Sequence, residues 1–359
     1  MVLVRYPPNK NLKGHKLVSI LPSFTPSDEE VAGLKQQYPG LEILIANSRA
    51  EVTKEDWQDA TILATGFNQD GLPHKDDVPN LQYVQLSSAG ANLITSDPLY
   101  TDTDVAFCTA NGVHGPQIAE WIIATFLAFQ HEIPAYLEQQ KQGQWIRRTQ
   151  PVYDAVKQRV GILGYGSIGR QTARVAKAMG MDVYAYTLHE RKTPESKRDT
   201  SYAPPGLGDP DGSLPSKWFY GDSTRELHAF LGSGLDLLIV AMPLTPKTTG
   251  LIGKAEFEVL KANKTFVTNI ARGPIIKTDD LIEALDHGLI RGAALDVTDP
   301  EPLPDGHPLW FAKNVIITPH ISAASTSYFD RLWEIVKLNL RNLSRGKDLL
   351  NQVNRTEGY

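Results

Sequence analysis

The chain contains a single cysteine, Cys108, which excludes a disulfide framework and a cysteine-built metal cluster. It also lacks a strong charge balance: the formal net charge is −5 across 359 residues. Mild acidity of that kind argues against nucleic acid or an anionic membrane as the main partner. Long apolar runs are missing as well. The most apolar stretch, Ile118 to Phe129, carries Glu120 and is too short to span a bilayer. The opening residues Met1 to Pro8 have no apolar core of the signal-peptide kind. The histidines other than His320 show no metal-ligand spacing, and among them only His114 lies in a loop of interest. What remains, with 41% hydrophobic and 21% charged residues, is a globular chain too long for one typical core. It is expected to be cytoplasmic, to form two domains and to bind no metal.

The most informative stretch is Val160 to Arg170, where an apolar run ends in Gly164, Gly166 and Gly169, spaced G-x-G-x-x-G. It passes directly into a helical pattern of Ile168, Thr172, Val175, Ala176 and Met179, closed by Gly180. The glycine spacing alone is a common loop pattern. Between a strand and a helix it reads as a dinucleotide site: one glycine for the turn, one for close approach of the pyrophosphate, one for helix–strand packing. The helix N-terminus then supplies unpaired N–H groups from Ser167 and Ile168 to an anion.

On either side of this unit, apolar runs alternate with helical segments, the cadence of a parallel α/β sheet. Before it, strands are predicted at 16–21, 41–46, 61–65, 83–86 and 105–108, with Ser27 and Glu30 forming a capping box at a helix start. Loops 87–92 and 109–115 are small-residue turns just past strands, with Phe67 past the third. From Pro116 to Gln140 the pattern is helical, strongly apolar and broken by Pro134, so it predicts cover between domains or by a second subunit. From 160 onward, strands are predicted at 160–163, 182–186, 235–241, 265–270, 293–297 and 315–318. Residues 188–219, rich in Pro, Gly, Ser and charge, read as a partly mobile excursion. A helix over 325–344 is expected to return to the first domain. The boundaries are 1–112 with 325–359 for one domain and 113–324 for the other.

In a doubly wound sheet, ligands lie beyond the C-terminal strand ends. Those positions hold the glycine turn, Thr187, Pro243 to Thr248, Ala271-Arg272-Gly273, Asp296 to Glu301, and Pro319-His320. Alone, Arg272, Glu301 and His320 have ordinary explanations as a surface charge, a turn residue and a buried histidine. Together around a nicotinamide they suit reduction of a 2-oxo acid. Histidine transfers a proton near neutral pH, a neighbouring carboxylate orients its ring, and the arginine fork matches a carboxylate.

The segments Gly161–Gly169, Pro243–Thr248, Asn269–Gly273, Ala294–Leu303 and Thr318–Ile321 resemble, in order and spacing, the D-isomer-specific 2-hydroxyacid dehydrogenases, among them the glyoxylate and hydroxypyruvate reductases. The resemblance implies a Rossmann domain with a flavodoxin-like substrate domain made from both chain ends. It implies Arg272 as substrate anchor and His320 as acid–base paired with Glu301. It further implies that Asp296, with Asn269, Ile270 and Ala271, seats a nicotinamide, and that Ser88, Ala89 and Gly90 hold the substrate carboxylate. Members are usually homodimers, consistent with the apolar helix after Pro116. Glu301 disfavours the formate dehydrogenases of the superfamily, which carry Gln there. A second class stays open on the same fold: a dinucleotide-regulated interaction protein of the corepressor kind.

One departure bears on the cofactor. NAD-dependent members usually end the second strand with Asp; here Thr187 stands there, followed by Glu190, Arg191 and Lys192. Without that carboxylate a 2′-phosphate meets no like charge, and Arg191 or Lys192 can pair with it. NADP preference is expected, with Glu190 keeping NAD open. Phe67 and Trp310 are candidates for an apolar side pocket, with core packing the commoner role for such residues.

Overall fold

A computed structural model describes residues 6–21, 24–66, 72–91, 93–147 and 151–355; Phe67 and Asn92 lie outside the described residues. The chain divides into two compact units, 1–113 with 326–359, and 114–325.

The first unit holds β1 (His15–Ile20), β2 (Leu41–Ile45), β3 (Ile62–Thr65), β4 (Tyr83–Leu86) and β5 (Ala106–Cys108). All pair in parallel, in the order β2-β1-β3-β4-β5. That is the flavodoxin order. The capping box forms: Ser27 Oγ accepts from Glu30 N at 3.2 Å and Glu30 returns to Ser27 N at 2.9 Å, opening the helix Asp28–Gln37. Such a cap is worth about 1 kcal/mol. The last helix, Tyr328–Ser344, turns Leu332, Trp333, Ile335, Val336 and Leu340 inward. From its buried face Asn339 donates to Tyr83 Oη at 3.0 Å and Gln85 Oε1 at 3.3 Å on β4. A polar network wholly inside a core is tolerable only when its members satisfy one another, and here it fixes how the helix sits on the sheet.

The second unit holds β6 (Arg159–Leu163), β7 (Asp182–Thr187), β8 (Lys217–Tyr220), β9 (Leu237–Val240), β10 (Phe266–Asn269), β11 (Gly292–Leu295) and β12 (Val315–Ile317). The parallel order is β12-β11-β10-β9-β6-β7-β8. Both faces are covered, so successive side chains feed two cores. Leu163, Leu238, Val240 and Val267 face one; Val160, Ile162, Leu237, Ile239 and Phe266 face the other. Connections reverse direction between β6 and β9, the topological switch point, and β6 is the strand that ends in the glycine turn.

One expectation needs correction. Residues 188–219 leave the sheet as expected but are ordered rather than loose: they contain the short helix Pro194–Lys197, the buried Asp209 and the first three residues of β8, which pairs with β7. The Pro and Gly content masked the aromatic run Trp218-Phe219-Tyr220, which was the strand signal. The apolar helix after Pro116 has one face covered by its own unit. Gly115–Gln130 packs on the helix Ser167–Ala178 and sets Phe126 and Phe129 on Phe266. The break falls at His131-Glu132, before Pro134, which starts the next helix Ile133–Lys141, where its missing N–H is no loss. Among the described residues no helix is long and apolar enough to cross a membrane.

Candidate active site

The glycine turn has the shape its sequence requires. Gly164 has φ +106, and a Cβ there would lie 2.6 Å from Ala241 O on the neighbouring strand end. A Cβ on Gly169 would meet Gly164 O at 2.6 Å and Ile162 Cγ2 at 2.8 Å, so the glycine sets the helix–strand approach. Gly166, at the N-cap of the helix Ser167–Ala178, faces open space: a Cβ there meets nothing within 4 Å. An open cradle at the start of a twelve-residue helix fits a dinucleotide phosphate.

Next to it, after β9, Thr248 Oγ1 donates to Pro243 O at 2.8 Å and accepts from Thr245 N at 2.7 Å, closing the turn 243–248. After β10, Asn269 shapes the loop that carries the arginine. Its Oδ1 accepts from Ala271 N and its Nδ2 donates to Arg272 O, both at 3.0 Å. Ile270 and Ala271 are buried between them. Arg272 donates to Ala271 O at 2.7 Å. Burial pulls its guanidinium below the usual range while the Glu301 charge pushes it back up, so it stays a cation.

The loops after β11 and β12 form one assembly. Asp296, 1% exposed, uses Oδ1 to accept from Thr318 Oγ1 at 2.6 Å and Ile321 N at 2.9 Å, and Oδ2 to accept from Ser322 N at 2.9 Å. Its own carbonyl accepts from His320 N at 2.8 Å. These bonds hold His320 in a left-handed backbone, φ 53, which a non-glycine residue adopts only when its surroundings over-determine it. His320 Nδ1 then lies 2.5 Å from Glu301 Oε1. Both side chains remain about two-fifths open, at 44% and 38%.

Arg272, Glu301, His320 and Asp296 therefore gather on the strand ends of one unit. Asp296, expected beside the nicotinamide, has both carboxylate oxygens engaged in building the histidine's turn. That role has no mark in the sequence, because it depends on Thr318, Ile321 and Ser322 folding back over β11. Sequence reasoning named Gly273 only as part of the strand-end segment and gave it no role, yet a Cβ there would lie 1.8 Å from Thr298 O.

At the end of β7, Thr187 Oγ1 donates to His189 O at 2.8 Å. Arg191 donates to Ser196 O at 2.7 Å, which leaves most of its five N–H groups for other partners. Lys192 pairs with Glu190 at 2.9 Å, and the Tyr220 hydroxyl also bonds Glu190. Glu190 is thereby held by its own loop. In the other unit Ser88 Oγ donates to Gly90 O at 2.8 Å, shaping the turn of Ser88, Ala89 and Gly90 past β4. Trp310 is 44% exposed, with its indole N–H on Pro304 O at 2.9 Å, so it is not a core residue. His114 is buried at the start of the helix Gly115–Gln130.

Comparison with known proteins is consistent with this geometry. The family described as D-isomer specific 2-hydroxyacid dehydrogenase, NAD binding domain, matches residues 123–205 and 217–322. The glyoxylate/hydroxypyruvate reductase A of Photorhabdus laumondii is 32% identical over 245 residues, which cover 68% of this chain and 69% of that protein. A D-isomer specific 2-hydroxyacid dehydrogenase from Xanthobacter autotrophicus, solved with NADPH and MES, superposes with a TM-score of 0.74 at 27% identity, covering 96% of this chain and 99% of the other. The NADPH-dependent glyoxylate/hydroxypyruvate reductase of Sinorhizobium meliloti, solved with NADP and sulfate, gives 0.72 at 26%, covering 96% and 100%.

Proposed function

The chain belongs to the D-isomer specific 2-hydroxyacid dehydrogenase family, an NAD(P)-dependent oxidoreductase, and from that premise we propose that it reduces a 2-oxo acid to the D-2-hydroxy acid. Glyoxylate, hydroxypyruvate or a larger 2-oxo acid is the substrate class. The observation that carries this reading is the 2.5 Å contact between His320 and Glu301, set on the same strand ends as Arg272. A reduced nicotinamide bound there would supply the hydride for the carbonyl carbon. His320 gives a proton from Nε2 to the oxygen as it becomes an alkoxide, with Nδ1 oriented by Glu301. Arg272 pairs with the substrate carboxylate, a role that its planar fork fits better than a point charge. Ser88, Ala89 and Gly90 are assigned to substrate binding by their likeness to the family's first-domain loop.

Gly164, Gly166, Ser167, Ile168 and Gly169 are assigned to the dinucleotide phosphates. Pro243, Thr248, Asn269, Ile270 and Ala271 are assigned to the nicotinamide side, while Asp296 supports the turn that carries His320. NADPH is the preferred cofactor on the strength of Thr187, with Arg191 and Lys192 as the cations for the 2′-phosphate. The relatives solved with NADPH or NADP support the same preference. A homodimer in the cytoplasm is the proposed working form. The support for a homodimer is the exposure of Tyr136, Leu137, Trp145 and Tyr153, with Trp145 98% exposed.

The test is nicotinamide oxidation with glyoxylate, hydroxypyruvate and phenylpyruvate, run with NADPH and with NADH. Turnover of at least one acid, faster per unit concentration with NADPH, is expected. Dinucleotide binding without turnover of any 2-oxo acid sinks the enzymatic reading, and a clear NADH preference sinks the cofactor assignment. Sedimentation of the purified chain tests the dimer; a monomer at micromolar concentration contradicts it.

A further inference from the structure

Between β7 and β8 the chain leaves the sheet, and the family match passes over residues 206–216, resuming at Lys217. That unmatched stretch contains Asp209, a carboxylate only 4% exposed. Its Oδ1 accepts from Ser213 N at 3.0 Å and its Oδ2 from Leu214 N at 3.2 Å, so its own loop holds it in place. Oδ2 also accepts from the hydroxyl of Tyr165, at 2.7 Å. Tyr165 is the middle residue of the Gly164-Tyr165-Gly166 turn, is 5% exposed, and stands edge-on to Trp218 of β8 at 5.0 Å.

The whole connection between β7 and β8, including Lys197 and Asp199 before the unmatched stretch, also grips the helix that follows the turn. Arg170, lying 5.0 Å from the Tyr165 ring centroid, donates to Asp209 O at 2.5 Å and to Lys197 O at 2.8 Å, and pairs with Asp199 at 3.4 Å. Gly208 N donates to Gln171 Oε1 at 2.8 Å, and Arg174 donates to Gly206 O. The two glycines flanking Tyr165 have no side chain to pin them and the greatest backbone freedom of any residue. Within Gly164-Tyr165-Gly166, Tyr165 is therefore the side-chain anchor, and Asp209 is what that anchor is tied to.

We propose that Asp209 is a positioning residue: through the Tyr165 hydroxyl it holds the amides of the glycine turn where the dinucleotide phosphates bind, so that a segment outside the family pattern sets cofactor affinity. The proposal rests on the dinucleotide reading of the turn. Amides fixed in advance bind an anion without the entropy cost of ordering them on binding. Burial, with Asp209 adding to it, pushes the Tyr165 phenol up, so the hydroxyl remains a donor at neutral pH. Because the phosphates held at the turn are common to NADPH and NADH, loss of the brace weakens both and leaves their ratio alone.

The test is direct dinucleotide binding to the full chain, by nucleotide fluorescence, for the wild type, Y165F, D209N and the double variant, with melting temperatures alongside. Each single variant is expected to raise the Kd of NADPH and of NADH together by about tenfold. The double variant should be no worse than the weaker-binding single, since both break one contact. The cofactor KM should carry the loss rather than kcat. Y165F removes only a hydroxyl and carries the test if D209N fails to fold. A lowered melting temperature with Kd values within twofold of wild type overturns the proposal, as do effects that multiply in the double variant. A wild type that binds neither dinucleotide overturns the functional reading as well, whereas normal wild-type binding with unimpaired variants overturns only the brace.

Discussion

Gly273→Ala probes the geometry of the proposed catalytic site with one methyl group. A Cβ at Gly273 would lie 1.8 Å from Thr298 O, 2.1 Å from Thr298 C and 2.7 Å from Asp299 N. All three are backbone atoms, so no side chain can rotate aside. A methyl carbon keeps roughly 3.0 Å or more from a carbonyl oxygen, so the two loops must part by about 1.2 Å. One loop carries Arg272 and the other leads into Glu301. Overpacking of this size costs about 1–3 kcal/mol, a fall in melting temperature of about 5 °C for a unit of this length. Displacing reacting groups by about 1 Å costs on the order of 100-fold in rate. We expect G273A to fold, to melt lower by that amount, and to lose about 100-fold in kcat/KM for its 2-oxo acid. Steady-state kinetics and a thermal melt on the same preparation measure both. A G273A enzyme within threefold of wild-type kcat/KM would refute the claim that this loop contact sets the site.

The other glycines separate binding from stability. G166A adds a methyl in open space and should melt like wild type while binding dinucleotide at least about tenfold more weakly; G169A should instead lose about 1–3 kcal/mol of stability to its clash with Gly164 O. The reverse pattern would mean the phosphate cradle is misassigned. H320N should lower kcat by about 100- to 10,000-fold with dinucleotide binding retained, and activity within tenfold of wild type would remove His320 from the acid–base role. Burial pushes the phenols of Tyr6, Tyr186 and Tyr328 up to about 12. Their unfolded values lie near about 10, so the folded chain holds these protons more tightly. Stability is then whole below about pH 10 and falls from about pH 10 to 12. Denaturant midpoints across that window should drop steadily; a flat profile contradicts the burial.

The glycine spacing, the alternation of strands with helices, and the residues just past each strand were readable in the sequence, because each is local. A turn needing φ near +106 selects glycine at 164, and a strand covered on both faces selects a continuous apolar run. Arg272, Glu301 and His320 were readable as candidates because parallel topology places ligands at C-terminal strand ends whatever the details. What depends on chain segments distant in sequence was not readable. The segment 188–219 reads as loop by composition, yet tertiary packing makes part of it β8 and buries Asp209, since tertiary context outweighs propensity where partners exist. Asp296 likewise has the sequence position of a ligand, but its hydrogen-bond partners at 318, 321 and 322 turn it into the support of His320. The sequence by itself therefore determined which residue types stand at which strand ends. Only the tertiary structure decided which of them stay open at the strand ends and which hold the others in place, because a carboxylate's role is set by the donors that reach it.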